Sequence, residues 1–307
     1  MSRLRITRGF AVAISAAATV ALLAGCTAGS DIGAGNPGAK AKPTASATPE
    51  APKVTGDLEA QDIKVKDSLG EYTPVKLRDD SDALKVPETM VDFSGGNGGY
   101  STPKAVEAAQ WVARFAGSDV IDGVGLDTGE TGWNEWKQSR ADQFISTYAK
   151  DAVLGPITTG DNELKGKRSL VVLATPNDGK FPQMVRDGGP RVSSGTVKVT
   201  GVKSDVYQGS DSGIIVTGTT DVSYRVLSSK AKSLMKTISP KNTDELMEPY
   251  YPEMYSKKVA TLELTDNWTY RVYMEAGEWK IYNYYTNWSA DFKHDSKVSE
   301  KPEQDGL

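Results

Sequence analysis

The sequence predicts an α+β fold in which N-terminal helices pack on a bent, antiparallel meander sheet. Between residues 101 and 149, apolar side chains recur at the three- and four-residue spacing typical of amphipathic helices. After Pro190 the apolar spacing changes to two, which is typical of strands that bury one face. We therefore predict a folded domain over residues 101–290, followed by a polar tail over residues 291–307.

The start of the first helix is marked by Ser101-Thr102-Pro103, which combines a hydroxyl at the cap position with a proline in the first turn. Apolar residues follow at helical spacing, and Gly117 is expected to end the helix. A second helix is predicted over residues 133–149. Residues 170–174 form a short apolar run whose periodicity fits either a strand or a helix.

In the first long strand, the apolar residues change from odd to even positions near the middle. Val197 and Val199 are at odd positions. Val202 and Val206, farther along, are at even positions. An extra residue in one strand of a pair causes such a switch and bends the strand, so we predict a β-bulge at Gly201.

Three further strands are predicted, and they alternate in the same way. Gly218 and Thr220 lie among the apolar residues of the second strand and are small enough to leave room beneath it. An excursion over residues 228–256, with helical content near residues 244–247, separates the second strand from the third. Residues 275–278 predict a tight hairpin between the third and fourth strands. The three strands are predicted over residues 214–226, 260–274 and 279–288.

The composition excludes several classes of function. The chain has 36 Lys and Arg against 40 Asp and Glu, which gives a formal net charge of −4. The three charges in residues 1–25 are positive, so a product cleaved after residue 25 carries −4 − 3 = −7. Without a basic excess, a general nucleic-acid binder is not expected. With one Cys and one His, the chain is also not expected to form a Cys/His zinc site or an internal disulfide, and no metal or other cofactor is predicted.

The N-terminus has the pattern of an export signal. Residues 1–9 carry three arginines, and the 14 residues 10–23 are apolar or small throughout. This run is shorter than the about 20 residues that a membrane-spanning helix needs. It ends in Leu23-Ala24-Gly25-Cys26, which resembles the cleavage box of bacterial lipoprotein signal peptides, as in exported actinobacterial lipoproteins.

The resemblance implies that residues 1–25 are removed and that Cys26 becomes a diacylated N-terminus. Each buried acyl CH₂ contributes about 0.8 kcal/mol, so two acyl chains hold a domain on a membrane. The mature protein is then expected on the outer face of the cell membrane. An ordinary signal peptide with an incidental cysteine is the alternative.

Residues 26–56 are predicted to be the acylated cysteine followed by a flexible tether. This segment is mostly Ala, Gly, Pro, Ser and Thr, so it has too little apolar surface to offset the entropy of ordering. As a random coil of about 29 residues it would reach about 30 Å. Residues 57–100 are predicted as a transitional segment, partly strand and partly loop.

The order of helices followed by a bent meander resembles the nuclear transport factor 2-like superfamily, which includes SnoaL-like cyclases and ketosteroid isomerases. The helix at residues 101–117 and the hairpin sequence Glu275-Ala276-Gly277-Glu278-Trp279-Lys280-Ile281 carry the resemblance, which covers roughly residues 100–290. It implies a cone-shaped fold, and the enzymes of that superfamily use carboxylates, histidines or tyrosines inside the cone. The segments at residues 57–100 and 228–256 depart from the minimal fold and could cover the mouth of the cone.

Few side chains are candidates for such chemistry. Asp142 on the second helix and Asp221 in the second strand are possible carboxylate bases, but each lies off the apolar face of its element. His294 falls in the polar tail. Ser210 has the surroundings of a hairpin turn rather than of a nucleophile, and the acidic turn at residues 79–82 is better explained by solvation than by calcium binding. No catalytic residue is therefore predicted.

Aromatic residues are concentrated near the end of the domain. Residues 268–288 contain three Trp and five Tyr, distributed on both faces of the last strand. Burial on both faces is the favoured interpretation. An exposed set would suit stacking on sugars or the anchoring of a protein partner.

From these features we infer a membrane-anchored extracytoplasmic lipoprotein whose domain binds a ligand or an envelope protein without catalysis. Two alternatives stay open. One is an extracytoplasmic enzyme with a cone pocket, of isomerase, dehydratase or cyclase type. The other is a subunit of an envelope secretion or conjugation assembly.

Overall fold

The computed structural model describes residues 53–96, 99–122, 182–207, 211–238 and 240–298, together with residues 127, 139, 140 and 143. The predicted signal, Cys26 and almost all of the tether lie outside the described residues. So do most of the second predicted helix, including Asp142, the apolar run at residues 170–174, and Ser210.

The described strands are short at the N-terminal end and long at the C-terminal end. In chain order they are β1 (Thr55–Gly56), β2 (Leu58–Ala60), β3 (Val65–Asp67), β4 (Gly70–Thr73), β5 (Val75–Leu77), β6 (Val91–Asp92), β7 (Asp187–Pro190), β8 (Val192–Tyr207), β9 (Asp211–Leu227), β10 (Val259–Glu275) and β11 (Glu278–Phe292). The described α-helices are α1 (Thr102–Arg114), α2 (Ser228–Ile238), α3 (Asp244–Tyr250) and α4 (Pro252–Ser256).

Strands β8 to β11 form an antiparallel meander in which each pairs with the next. Strands β1 and β6 pair in parallel with β8 at two separate places along its other edge. With α1 packed against β8 and β9, the described part of the chain has an α+β fold, as predicted.

The segment at residues 57–100 contains more strand than loop in its first half. Strand β2 pairs with β5, and β3, β4 and β7 form a three-stranded sheet. Leu58, Val75 and Leu77 are buried in the same core as the meander. This segment therefore belongs to the packed body of the domain.

Helix α1 begins at the predicted place, but Gly117 does not end it. A π-helical turn over Phe115–Val120 continues the helix through this glycine. A Cβ at Gly117 would lie 3.0 Å from Leu77 Cδ1 and 3.2 Å from Val197 Cγ2. The glycine allows β5 and β8 to approach the helix closely, so its role is packing rather than termination.

Both glycine predictions for the long strands are confirmed. The register of β8 against β9 shifts between Val199 and Gly201, which is the predicted bulge. Gly218 of β9 lies directly under the Trp268 ring of β10, where a Cβ would overlap the ring. The small residue therefore makes room for a large one on the facing strand.

The predicted hairpin between β10 and β11 is present. Ala276 and Gly277 both have positive φ, at 52° and 89°, as tight two-residue turns between antiparallel strands require. Strand β11 runs to Phe292, farther than predicted, and Phe292 is 1% exposed. The ring of His294 stacks on Tyr250 at 4.8 Å between centroids. Residues 291–294, which we predicted as part of the polar tail, therefore contact the body of the domain.

The excursion between β9 and β10 is more helical than predicted, since it forms α2, α3 and α4. Met235, Met247 and Met254, one from each helix, are buried in the common core. Among the described residues, no helix is both long enough and apolar enough to cross a membrane.

We expect Gly218→Ala to destabilise the domain by about 1–3 kcal/mol, because the added methyl group must displace the Trp268 ring or the strand beside it. Urea unfolding measures the change. Gly95→Ala is the matched control, since a Cβ there meets no atom within 4 Å. An equal effect of the two substitutions would contradict the packing role assigned to Gly218.

Candidate functional site

A small internal cavity lies between the π-helical turn and the inner face of β9 and β10. Its polar lining comes from Thr220, Asp266, Trp268 and Tyr270, and the remaining walls are aliphatic. The volume of about 10 Å³ accommodates about one water molecule. The cavity is therefore closed to any larger molecule in this conformation.

Asp266 is the one acidic side chain that lines this cavity among the residues the structure describes. It is 5% exposed, and its Oδ1 has no hydrogen-bond partner within the described part of the chain. Burial raises the pKa of Asp266 to about 7, although a hydrogen bond from the Asn287 backbone acts in the opposite direction. This carboxyl group therefore changes its charge near neutral pH.

Tyr270 is the second polar group of the cavity that lacks a partner. Its ring packs edge-on against Phe115 at 5.5 Å between centroids, and the residue is fully buried. Its hydroxyl makes no hydrogen bond to any described residue. Burial, followed by the nearby charge of Asp266, raises the pKa of Tyr270 well above its ordinary value, so the hydroxyl stays protonated.

Trp268, in contrast, is satisfied, since its Nε1 donates a hydrogen bond of 3.0 Å to Thr220 Oγ1. The cavity thus offers one carboxyl and one phenol that can still donate or accept hydrogen bonds. Such a pair can hold a water molecule or exchange a proton with a bound polar group. Contact with a substrate would require the surrounding walls to move.

Asp266 was not among the residues predicted from the sequence, although the alternation of β10 marks it. Strand β10 places apolar residues at every even position from Ala260 to Val272, and Asp266 is the one charged exception. A charged residue at a position that alternation places inside lowers the stability of the fold unless its charge is paired or neutralised. The break in the alternation at Asp266 therefore indicates a buried polar site.

A second buried polar group joins elements that are far apart in the chain. The Arg191 guanidinium bonds to the Asp122 carboxylate, with Nη2 2.6 Å and Nε 2.9 Å from Oδ1. The same guanidinium lies over the Tyr72 ring, 3.8 Å from its centroid. Asp122 Oδ2 also accepts a hydrogen bond of 2.7 Å from the Val75 backbone N–H. We call Arg191, Asp122 and Tyr72 the arginine clamp.

Arg186 extends the arginine clamp toward the surface. Its Nη2 lies 2.7 Å from Asp67 Oδ2 and 2.6 Å from Asp127 Oδ1. Asp127 Oδ2 in turn accepts a hydrogen bond of 2.7 Å from the Met184 backbone N–H. Residues 127 and 184 are thereby held together although 57 positions separate them.

Burial opposes the charged form of Arg191, but the carboxylates of Asp122 and Asp127 outweigh it and raise the pKa of the guanidinium. Arg191 is therefore always charged, and its role is to fix β8, β4 and the end of the π-helical turn against one another. Among the described residues, no group of three or more His, Cys, Asp or Glu side chains could hold a metal ion.

A larger depression lies on the surface, between residues 82–90 and strands β8 and β9. Its volume is about 440 Å³. Met90, Val86 and Val199 contribute apolar surface. Thr196, Lys198, Thr219 and Asp221 contribute polar surface. We call this depression the surface groove.

The sequence candidates that the structure describes do not meet at one site. Asp221 is exposed, as predicted, and its Oδ1 accepts a hydrogen bond from the Thr265 hydroxyl. The acidic turn is paired with cations: Asp79 with Arg114, Asp80 with Arg78 and Asp82 with Lys85. His294 is exposed and lies on α3, away from the internal cavity.

Burial of the aromatic residues is confirmed for most of those that the structure describes. Trp279 is 5% exposed and packs against Tyr100 at 5.4 Å between ring centroids. Tyr282 is 8% exposed. Tyr285 is the exception, because 65% of it is exposed.

Comparison of the chain with protein-family models, with curated protein sequences and with solved structures finds no significant match.

We expect the stability of the domain to fall as the pH rises toward 7, because the folded state holds a proton on Asp266 that the unfolded state has released. The contribution is complete below the ordinary pKa of 3.8 and is lost as the pH passes through about 7. Between pH 5 and pH 8 the wild type should lose about 2–3 kcal/mol relative to Asp266→Asn. Urea unfolding at both pH values measures this difference.

Asp221→Asn is the control for that experiment, since it changes an exposed aspartate and should keep the pH dependence of the wild type. Parallel pH profiles for the wild type and Asp266→Asn would show that Asp266 does not titrate as the structure implies.

We expect Arg191→Leu to destabilise the domain by about 3–5 kcal/mol, because it leaves the Asp122 carboxylate buried without its cation. Arg78→Leu breaks an ion pair on the surface and should leave the thermal midpoint unchanged. Differential scanning calorimetry compares the two variants. A small effect of Arg191→Leu would contradict the role given to the arginine clamp.

Proposed function

We propose that this chain is a lipid-anchored extracytoplasmic protein whose domain binds a ligand or partner without catalysing its conversion. The observation that carries the proposal is the sequence Leu23-Ala24-Gly25-Cys26 at the end of a short apolar run, with the sole cysteine of the chain in the acylated position. The tether that follows would hold the domain near the outer surface of the membrane.

The interior of the domain supports a binding role more than a catalytic one. The internal cavity has room for about one water molecule. The surface groove, at about 440 Å³, is within the size range of small-molecule sites and opens to solvent. Ligand contact is therefore expected on the outside of the domain.

We further propose that the domain is a cone of the nuclear transport factor 2-like type. A helix packed on a four-stranded meander, a bulge that bends its first strand, and a two-residue hairpin before the last strand support this assignment. The N-terminal strands and the helices α2 to α4 are additions to that plan.

The anchor is tested by labelling cells with radioactive palmitate. The wild type should incorporate the label and begin at residue 26. Cys26→Ala should take up none, because the lipid is attached to the cysteine sulfur. Thr27→Ala is the matched control and should be labelled like the wild type. A labelled Cys26→Ala protein, or an unlabelled wild type, would rule out the anchor.

An enzyme with a cone pocket is the second candidate, and the Asp266 and Tyr270 pair favours it. Such an enzyme must open the cavity to a substrate. The indole N–H resonance of Trp268 reports on this, because Trp268 lines the cavity. Shifts of that resonance on titration with phenol or cyclohexanone would favour the enzyme, and an unchanged resonance would favour the binding protein.

A further inference from the structure

The middle of the solvent-facing side of the sheet consists almost entirely of uncharged polar side chains. The adjoining rows on the same side carry charged residues, Glu263 and Asp291 in one direction and Lys203 and Arg271 in the other. Strand pairing aligns eleven residues of the middle part in three rows across β8, β9, β10 and β11. Thr200, at the bulge of β8, completes the first row through its side-chain hydrogen bond to Thr217. The rows are Thr200, Thr217, Thr269 and Tyr285; Lys198, Thr219, Asn267 and Asn287; and Thr196, Asp221, Thr265 and Ser289. We call these twelve residues the outer face.

Side-chain contacts confirm that the rows share one side of the sheet. Thr200 Oγ1 and Thr217 Oγ1 are 3.2 Å apart. The Thr265 hydroxyl donates to Asp221. Adjacent rows are about 6.8 Å apart along the strands, and adjacent residues in a row are about 4.8 Å apart.

The composition of the outer face is unusual for an exposed sheet. Nine of the twelve residues are Thr, Ser or Asn. Threonine suits strands in general, but exposed strands usually also carry many charges, which keep them soluble. Here Lys198 and Asp221 are the only charged members and they cancel, so the face presents hydroxyl and amide groups with no net charge.

One aromatic ring stands at the β11 side of this array. Tyr285 is 65% exposed, whereas Trp279, Tyr282, Tyr284 and Phe292 of the same strand are buried or partly buried. At the β8 side, the outer face runs into the surface groove, because both include Thr196, Lys198, Thr219 and Asp221. From ring to groove the face crosses three strand spacings, or about 14 Å.

These features favour one class of ligand over others. Nucleic acid and anionic lipid surfaces bind to an excess of positive charge, which the outer face lacks. A second copy of the chain or another protein would need an apolar interface core, and Tyr285 is the one large apolar group on the face. A sugar chain, in contrast, presents hydroxyls that both donate and accept hydrogen bonds and ring faces that stack on an aromatic side chain.

We propose that the outer face binds an uncharged polysaccharide strand of the cell envelope, built from N-acetylated amino sugars. Tyr285 stacks under one sugar ring, and the threonine rows bond to hydroxyl groups along the strand. Asn267 and Asn287, neighbours in the middle row, match the acetamido groups, since amides pair through one donor and one acceptor. The surface groove receives the next unit. This inference rests on the proposed function, since it specifies the ligand of the extracytoplasmic binding domain.

The test uses the full mature protein in detergent micelles, with insoluble chitin as the immobilised probe and chitohexaose as the soluble one. The wild type should be retained on chitin and should bind chitohexaose in a calorimetric titration. Tyr285→Ala should weaken binding about tenfold or more, as expected for an aromatic anchor. Thr217→Glu, which places a charge in the same row as Tyr285, should weaken it similarly.

Ile63→Ala is the matched control, because Ile63 is 56% exposed but lies outside the long strands. It should bind like the wild type. The proposal would be overturned if the wild type bound neither chitin nor chitohexaose, or if Tyr285→Ala bound them as the wild type does. A dimer that dissociates in Tyr285→Ala would also overturn it, since the face would then be a contact between copies.

The outcome also separates this inference from the proposed function on which it rests. Cleavage or release of chitohexaose units would overturn the non-catalytic role while retaining the sugar ligand. Absence of palmitate on Cys26 would overturn the anchor without affecting the titration. If a correctly acylated protein did not bind the sugar, only the assignment of the ligand would be overturned.

Discussion

The arginine clamp is the interaction on which the arrangement of the domain depends. Arg191 stands at the start of the long meander, Asp122 follows the π-helical turn, and Tyr72 belongs to the N-terminal strands. A guanidinium can bind a carboxylate and a ring face at the same time, so one buried side chain fixes three elements. The Tyr224 hydroxyl, which donates to the Ile121 carbonyl at 2.8 Å, secures the same turn from β9. The arginine clamp and the Tyr224 hydroxyl thus both hold the end of the turn that forms one wall of the internal cavity.

The two faces of the meander serve opposite purposes. The inner face buries large aromatic and aliphatic side chains, and it retains a carboxyl group whose ionisation opposes folding near neutral pH. The outer face buries little and offers many weak hydrogen-bonding groups in a regular array. In the binding role proposed above, the packed inner face would act as a rigid support for the outer face.

Periodicity was sufficient to predict the long strands, the bulge at Gly201 and the hairpin, because each depends on residues close together in the sequence. The prediction that the helix ends at Gly117 was wrong, because this glycine is required by the close packing of Leu77. No local sequence pattern reveals that contact. The arginine clamp could not be predicted either, since 69 residues separate Asp122 from Arg191. Asp266 could have been found, because parity alone places it inside.

If the domain is lipid-anchored as proposed, the pairing of β1 and β6 with β8 has a further consequence. Confinement to a plane raises the local concentration of neighbouring copies, and an open strand edge can then pair with another chain. The β8 edge is occupied at two points by these short strands. On the opposite side, β11 pairs only with β10 among the described strands, and its register shifts at Arg271 and Val272. Such an irregular edge is a poor template for sheet extension, which favours separate copies even on a crowded surface.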